Sequence, residues 1–357
     1  MAVHRIGVFG ANGHTGRFVA AELARRGVEA RWIGRDGAAL SRLQAGLRHG
    51  EARVTSVDDS TSMRHAFDGL NAVINCAGPF FDTCQPVIEA ALMAGCHVLD
   101  VTAEQVTVLD TIATFDASAK AAGRVVMPAM AFFGGLADLL ASSIVDDWPD
   151  VDAIEIAVAL DSWHPTTGTR LTGERNTATR LVVRDGVLAP VPSPPPASLW
   201  PFPKPFGSQP VSCVALSEIV LLSRHLKAWA ITSYMNGKPL ADLADAATPL
   251  PQAQDALGRS DQMFAMSVRA ERRGHRREAT VTGRDIYFVT APLVVEACLR
   301  LLADATPDWA GVRAPGELFD ARDFLAALAD VLVLQPSAFG DEPLDGAIAN
   351  ASTRSLA

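Results

Sequence analysis

The sequence predicts an α/β protein, in which a Rossmann-type doubly wound parallel sheet is combined with an α+β region that contains a mainly antiparallel sheet. Three observations predict this class. Strand and helix patterns alternate through the first third of the 357 residues, as they do in parallel sheets with crossover helices. A glycine-rich loop separates the first strand from the first helix. Beyond about residue 130, the alternation gives way to hairpin patterns.

The elements of the first third follow from apolar periodicity and from the glycines that end helices. Gly27, Gly95 and Gly123 each stand directly after a predicted helix. Strand patterns occur at residues 5–9, 30–33, 52–57, 72–75, 98–101 and 124–127. Helical patterns occur at residues 16–26, 38–47, 60–67, 86–94 and 109–122.

The middle of the chain predicts a mainly antiparallel sheet, with strands at residues 153–160, 181–183, 187–189, 264–270 and 278–282. The tripeptide Arg184-Asp185-Gly186 is a hairpin turn signal. Residues 190–205 are dense in proline and predict a long, semi-rigid loop. Helical patterns return at residues 292–303 and 321–332.

Composition and charge argue against several classes of function. The net charge of -9 disfavours nucleic acid as a partner, because phosphates repel an acidic surface. The most apolar stretch, residues 127–145, is interrupted by Pro128 and Asp138 and falls short of the roughly 18 uninterrupted apolar residues of a membrane span. The five cysteines show no CxxC spacing, so neither a metal site nor a disulfide framework is predicted. Their odd number and the absence of a signal-peptide pattern predict a cytoplasmic location.

The loop Gly10-Ala11-Asn12-Gly13-His14-Thr15-Gly16 carries the strongest functional signal. Its GxxGxxG spacing stands between a strand and a helix, as in dinucleotide-binding domains. The first glycine of such a loop permits a tight turn, the second lets the backbone approach the pyrophosphate, and the third lets helix and strand pack closely. Free N–H groups at the helix N-terminus then face the phosphates. We therefore predict that this loop binds a dinucleotide; the alternative is a purely structural turn.

The end of the second strand indicates which dinucleotide is bound. NAD-binding versions of the fold carry an acidic residue there for the ribose 2′-hydroxyl. This chain has Arg35, whose guanidinium suits a 2′-phosphate. Asp36 follows and could accept a hydrogen bond from a ribose hydroxyl or face solvent. NADP(H) is therefore the preferred cofactor and NAD(H) the alternative.

Small residues follow the fourth strand, in the run Asn75-Cys76-Ala77-Gly78-Pro79-Phe80. A strand end without large side chains leaves room for ribose and nicotinamide at the point where the strand order reverses. We predict that Ala77, Gly78 and Pro79 contact the cofactor. A tight structural turn is the alternative.

These motifs together resemble the saccharopine dehydrogenase-like family, which includes saccharopine reductases and trans-acting enoyl reductases of lipid synthesis. The family opening is similar to GATGYTG, and this chain has GANGHTG, so Asn12 and His14 are departures within an intact glycine frame. Further similar segments occur in the family's order, at Gly34-Arg35, 73–80, 86–90, 97–104 and 287–292.

The resemblance implies a discontinuous arrangement of domains. Residues 1–128 and 285–335 would form the NAD(P)-binding domain, and residues 129–284 an inserted domain for substrate binding or dimerisation. Residues 336–357 would form a carboxyl-terminal tail. The resemblance does not fix the substrate, because one fold serves many reactions.

Hydride transfer requires a dry pocket in which the substrate is held against the nicotinamide, often beside a proton donor. The candidate catalytic residues are Asp100, at a strand end, and His164, which lies in a loop sequence and could protonate a product near neutral pH. Asp100 could instead hold a loop, and His164 could be a surface histidine. The candidate substrate-contacting residues are Phe80, Phe81, Thr102, Glu104, Trp163 and Arg170.

The sequence therefore predicts an NADP(H)-dependent oxidoreductase that acts on a C=N or C=C bond of a small organic molecule. A redox sensor that binds NADP(H) without turnover is the alternative. A homodimer is a candidate assembly, formed through the middle region.

Overall fold

The computed structural model describes residues 4–335 and 342–343, so the predicted tail at residues 336–357 lies almost entirely outside the described residues. The strands are β1 (Arg5–Phe9), β2 (Glu29–Gly34), β3 (Glu51–Val54), β4 (Ala72–Asn75), β5 (His97–Asp100), β6 (Val125–Met127), β7 (Val151–Leu160), β8 (Leu181–Arg184), β9 (Val187–Pro190), β10 (Ala197–Pro201), β11 (Ser208–Cys213), β12 (Ala228–Asn236), β13 (Met263–Arg272), β14 (His275–Arg284), β15 (Gly311–Val312), β16 (Leu332–Leu334) and β17 (Glu342–Pro343). The helices are α1 (His14–Arg25), α2 (Gly37–Leu47), α3 (Ser60–Phe67), α4 (Phe80–Met93), α5 (Gln105–Ala122), α6 (Ala137–Val145), α7 (Thr167–Arg175), α8 (Ser217–His225), α9 (Gly237–Ala244), α10 (Ile286–Asp304), α11 (Pro315–Leu318) and α12 (Ala321–Ala326).

The first sheet has seven parallel strands in the order β15-β6-β5-β4-β1-β2-β3. Both of its faces are buried. Val8 and Ile74 lie in an apolar cluster on one face, and their neighbours Phe9 and Val73 lie in a second cluster on the other. This arrangement confirms the predicted doubly wound class. The strand order reverses between β1 and β4, and the crevice at their carboxyl ends is where such sheets bind ligands.

The second sheet follows the order β10-β11-β12-β7-β13-β14-β16, with β8, β9 and β17 attached beside it. It is mainly antiparallel, as predicted, but β7 and β12 run parallel. The sequence predicts that residues 153–160 pair in antiparallel fashion. In the structure, β7 is antiparallel only to β13. The direction of a strand's second neighbour depends on chain far away in sequence, which local periodicity does not report.

Two local predictions are wrong. Residues 190–205 do not form a loop throughout, because Ala197–Pro201 forms β10, with Trp200 fully buried under the Arg269 guanidinium at 4.1 Å. The helix predicted for residues 321–332 ends at Ala326, and Leu332–Leu334 pairs with β14. In both segments, strand pairing and the burial of one side chain, Trp200 in β10 and Leu332 in β16, outweigh local propensity. Residues 332–334, which the resemblance places with the first domain, therefore extend the second sheet.

Two helices begin six residues earlier than predicted, the largest differences at helix starts. α4 and α10 start six residues before Pro86 and Pro292, the prolines at which the sequence predicts their first turns. In α10 the start is fixed by Asp285, whose carboxylate accepts hydrogen bonds from the N–H groups of Tyr287 and Phe288 at 3.0 Å each. Of the described helices, α10 alone is long and apolar enough to cross a membrane, but 61% of its apolar window is buried, as in a core helix.

Candidate functional site

A cleft of about 1630 Å³ opens at the carboxyl end of the first sheet, facing the second domain. Pockets for one drug-sized molecule usually measure about 300–1,000 Å³, so this cleft has room for a dinucleotide and a second molecule. The predicted site residues that line it are Gly10, Asn12, Gly13, His14, Thr15, Arg35, Ala77, Gly78, Pro79, Phe80, Glu104, Trp163 and Arg170. The predicted site residues outside its lining are Gly16, Phe81, Asp100, Thr102 and His164.

The glycines of the loop are required by close backbone approaches. Gly10 has a φ of +79°, and a Cβ atom placed there would lie 2.9 Å from the Ala77 backbone nitrogen. A Cβ atom on Gly16 would lie 2.1 Å from the Gly10 carbonyl oxygen. Gly16 therefore serves the packing of α1 against the loop, which explains its absence from the lining.

The start of α1 offers unused hydrogen-bond donors to the cleft. The first N–H group of this helix with an acceptor is that of Arg17, which donates to the Gly13 carbonyl at 3.0 Å. Within the described part of the chain, the N–H groups of His14, Thr15 and Gly16 have no acceptor. Unpaired donors at a helix N-terminus form an anion site, and this geometry suits a pyrophosphate.

The end of β2 places a cation beside this loop. Arg35 is exposed, lines the cleft, and makes no ion pair or hydrogen bond with the described residues. Asp36 has a structural role that the sequence does not predict: its Oδ1 accepts a hydrogen bond from the Ala39 N–H at 2.9 Å and caps α2. The carboxylate is thus engaged with the helix, and Arg35 remains available for a 2′-phosphate.

We expect Arg35→Ala to weaken NADPH binding by about tenfold or more, because a hydrogen bond to a charged group contributes about 1.5–3 kcal/mol. NADH lacks the 2′-phosphate, so its binding should be unchanged. Titration of the protein with each nucleotide measures both effects. Arg42→Ala is the matched control, since Arg42 is exposed on α2 and does not line the cleft. Equal losses for NADPH and NADH in Arg35→Ala would contradict 2′-phosphate recognition.

The loop after β4 is held by side chains of the first sheet and α4. The Asn75 Oδ1 accepts a hydrogen bond from the Ala77 N–H at 3.0 Å, and the Thr83 hydroxyl donates to the Ala77 carbonyl at 2.6 Å. Gly78 is exposed, with no atom closer than 3.6 Å to the position of a Cβ. This segment is therefore rigid and leaves open space in front of β4.

Asp100 lies behind the cleft wall. Its carboxylate accepts hydrogen bonds from the Thr102 N–H at 3.0 Å and the Ala129 N–H at 2.9 Å, and it lies 3.6 Å from the Cys84 thiol. Burial raises the pKa of Asp100 to about 6. The carboxylate thus positions the segment that leaves β6 towards the second domain. Thr102 is also fully buried, and its hydroxyl accepts from the Glu104 N–H at 3.1 Å.

Glu104 is the buried carboxyl group that does line the cleft. Its Oε1 accepts a hydrogen bond from the Phe80 N–H at 3.3 Å, and its Oε2 accepts from the Thr107 hydroxyl at 2.8 Å. Burial raises the pKa of Glu104, although the charge of Arg180, another lining residue, partly opposes that effect. A carboxyl group with a raised pKa in a sheltered position is suited to general acid–base chemistry.

Aromatic side chains form the opposite wall. Trp163 stacks on Phe133, with ring centroids 5.3 Å apart. The Trp163 indole N–H donates to the Tyr287 hydroxyl at 2.9 Å, and the same hydroxyl shares a hydrogen bond with the Thr169 hydroxyl at 3.0 Å. Burial raises the pKa of Tyr287. This network joins α7 to the start of α10 and closes an apolar side of the cleft.

The remaining predicted residues surround α7. Arg170 donates to the Thr248 carbonyl at 2.7 Å. Phe81 lies beneath the Arg175 guanidinium at 4.7 Å, and Arg175 forms two hydrogen bonds with Asp82, of 2.6 and 3.0 Å. The Arg175 contacts tie α7 to α4 across the cleft. His164 is half-buried and lies outside the cleft lining.

Sequence reasoning missed several lining residues, namely Phe132, Phe133, Thr169, Arg180 and Tyr287. Tyr287 belongs to the closing motif of the family resemblance, and this was the available signal for it. Phe133 and Arg180 stand in segments with no recognisable motif.

Comparisons with known proteins also support a dinucleotide-binding domain in the first part of the chain. The family model of the saccharopine dehydrogenase NADP binding domain matches residues 6–127. No curated protein matches the chain significantly. Residues 6–127 contain the glycine loop, Arg35 and the segment after β4. The comparison therefore confirms the family resemblance and supports a dinucleotide cofactor.

Solved structures show the likeness of the fold. Apo saccharopine dehydrogenase (L-Glu forming) from Saccharomyces cerevisiae is 14% identical, covers 93% of this chain and 99% of its own, and has a TM-score of 0.64. A short-chain type dehydrogenase/reductase from Mycobacterium ulcerans is 14% identical, with 35% and 66% of the two chains covered and a TM-score of 0.30. Serine dehydrogenase from Escherichia coli is 10% identical, with 35% and 80% covered and a TM-score of 0.30. The structural similarity to the yeast protein extends through both domains.

Proposed function

We propose that the chain is an NADP(H)-dependent oxidoreductase acting on a C=N or C=C bond of a small organic substrate, since residues 6–127 match the saccharopine dehydrogenase NADP binding domain. The observation that carries the proposal is the continuity of one cleft. It runs from the free N–H groups of α1 and Arg35, past Gly78, to the apolar wall at Trp163 and the carboxyl group of Glu104.

The cofactor end of the cleft is built by the protein backbone. The N–H groups of His14 and Thr15 would bind the pyrophosphate, and Arg35 the 2′-phosphate. The small residues Ala77 and Gly78 would leave room for the nicotinamide ribose. NADP(H), when bound, supplies or accepts the hydride.

The substrate end combines water exclusion with a proton source. Phe133 and Trp163 exclude water from the reacting atoms, which strengthens electrostatic interactions there. We assign Glu104 the role of proton donor during reduction, with the Phe80 N–H and the Thr107 hydroxyl holding its carboxyl group in position. Asp100 and His164 stay as predicted catalytic residues, but their positions outside the lining argue against contact with substrate. A cytoplasmic location and a homodimer also remain part of the proposal.

The experiment is a turnover assay with purified protein and NADPH, in which loss of NADPH absorbance is followed with panels of imines, enones and ketones. We expect consumption of NADPH with imines or enones. Turnover with ketones alone would contradict the assignment of C=N or C=C chemistry. Tight NADPH binding without turnover on any panel would favour the redox sensor.

A further inference from the structure

Residues 245–262, between α9 and β13, form one long segment that contains neither a helix nor a strand. Irregular segments longer than roughly 12–15 residues are uncommon in compact domains, and active-site lids and binding loops are among their main functions. This segment borders the cleft, because Leu250 and Pro251 belong to the cleft lining. It is therefore placed to cover a molecule that binds there.

Both ends of the segment are fixed by hydrogen bonds to neighbouring elements. At the first end, the Arg170 guanidinium on α7 donates to the Thr248 carbonyl oxygen at 2.7 Å. At the second end, the Ser260 N–H donates to the Asp285 carboxylate, at the start of α10, at 2.7 Å. The segment is thus held at two points and can move only between them.

The second end also packs against the helix that begins at the glycine loop. A Cβ atom placed on Gly258 would lie 3.5 Å from the Phe18 ring on α1. The Arg259 guanidinium lies 5.3 Å from the centre of the Phe288 ring on α10. The segment therefore passes from α7, on the second domain, to α1, whose first N–H groups are free.

The part between the fixed ends, residues 249–253, has little support of its own. Among the described residues, none exchanges a hydrogen bond with this part. Leu250 lines the cleft although its surface is 52% exposed. Pro249 and Pro251 restrict the backbone on either side of it. Segments with few hydrogen bonds and high exposure have low local stability, and ligand-binding lids are drawn from such segments.

We propose that residues 249–253, here called the strap, close over the bound dinucleotide and slow its release, with Leu250 as the side chain that covers it. This inference rests on the proposed function, because it requires a dinucleotide in the cleft. The dinucleotide is the occupant that the anchoring favours, since the second end of the segment packs on α1. Closure would remove the exposed part of Leu250 from water, and this burial drives it.

Stopped-flow displacement of NADPH from the full chain by excess NADP⁺ measures the release rate. We expect Leu250→Ser to raise this rate by about 3- to 10-fold, the factor that corresponds to burial of half a leucine side chain. The association rate should change by less than about twofold, because the strap closes after binding. Leu257→Ser is the matched control, since Leu257 is 58% exposed in the same segment and does not line the cleft.

Millisecond hydrogen exchange of the wild type tests closure without a substitution. We expect the amides of Leu250, Gln252 and Ala253 to exchange more slowly when NADPH is bound. Exchange in the strap that NADPH does not slow, or an unchanged release rate in Leu250→Ser, would overturn the role of the strap.

An equal rise in the release rate of Leu257→Ser would also overturn that role, because it would reflect loosening of the whole segment. Failure of the folded wild type to bind NADPH at all would instead overturn the proposed function. The two failures are therefore distinguishable.

Discussion

Gly16→Ala is expected to weaken NADPH binding by more than about a hundredfold, because the loop that binds the pyrophosphate cannot keep its shape with a methyl group at this position. The added Cβ would lie 2.1 Å from the Gly10 carbonyl oxygen and 3.0 Å from the Ala11 Cα, and both obstacles are backbone atoms. Either α1 or the loop must move, so the free N–H groups no longer converge. Overpacking of this kind also costs about 1–3 kcal/mol of stability.

Nucleotide titration and thermal unfolding measure these two effects separately. Gly46→Ala is the matched control: Gly46 is exposed within α2 with nothing within 4 Å of the added Cβ, so binding should be unchanged and stability should rise by about 1 kcal/mol or less. Gly13→Ala tests the loop without this severe clash, since its Cβ would lie 3.1 Å from the Gly10 oxygen. If a folded Gly16→Ala protein bound NADPH like the wild type, the loop would not be the pyrophosphate site.

Glu104→Gln is expected to lower kcat for the substrate found in the turnover assay by about 10²- to 10⁴-fold, the usual contribution of a positioned acid or base. Glutamine has nearly the same shape and can still accept from the Phe80 N–H, but it cannot release a proton. The affinity for NADPH should be unchanged, because the glycine loop and Arg35 are untouched.

The pH profile distinguishes chemistry from structure. Reduction requires the protonated form of Glu104, so wild-type kcat should fall as the pH rises through the pKa of this carboxyl group, which burial has raised. The residual activity of Glu104→Gln should lack that decline. Glu89→Gln, on the exposed side of α4, is the control. An unchanged pH profile in Glu104→Gln would show that the proton comes from another group.

The predictions for the cofactor half of the proposed site rest on local signals. Gly10, Gly13 and Gly16 have their roles fixed by adjacent backbone, and Arg35 lies two residues beyond the predicted second strand and directly after β2. Such features depend on residues within one βαβ unit, so their spacing in the sequence carries the geometry. The substrate half was harder to predict, because Trp163 and Tyr287 are 124 residues apart in sequence and are brought together only in the fold, where a hydrogen bond joins them.

Asp100 and Glu104 show why position in the sequence alone did not identify the residues of the substrate half. Asp100 is the last residue of β5, Glu104 follows four residues later, and both are buried. Asp100 faces the Ala129 N–H behind the wall, whereas Glu104 reaches the cleft. The difference is set by the path of the chain after β6, which brings Ala129 to the Asp100 carboxylate. A pattern of residue types does not specify how the chain runs after β6.

The sequence by itself determined the parallel sheet, the glycine loop and the choice of a dinucleotide, since each follows from periodicity or from backbone requirements over a few residues. Only the tertiary structure decided which buried carboxyl group faces the cleft, that Trp200 draws a proline-rich segment into the second sheet, and that β7 runs parallel to β12. These outcomes depend on burial and pairing between segments far apart in the chain, and the free energy of those contacts exceeds local preference.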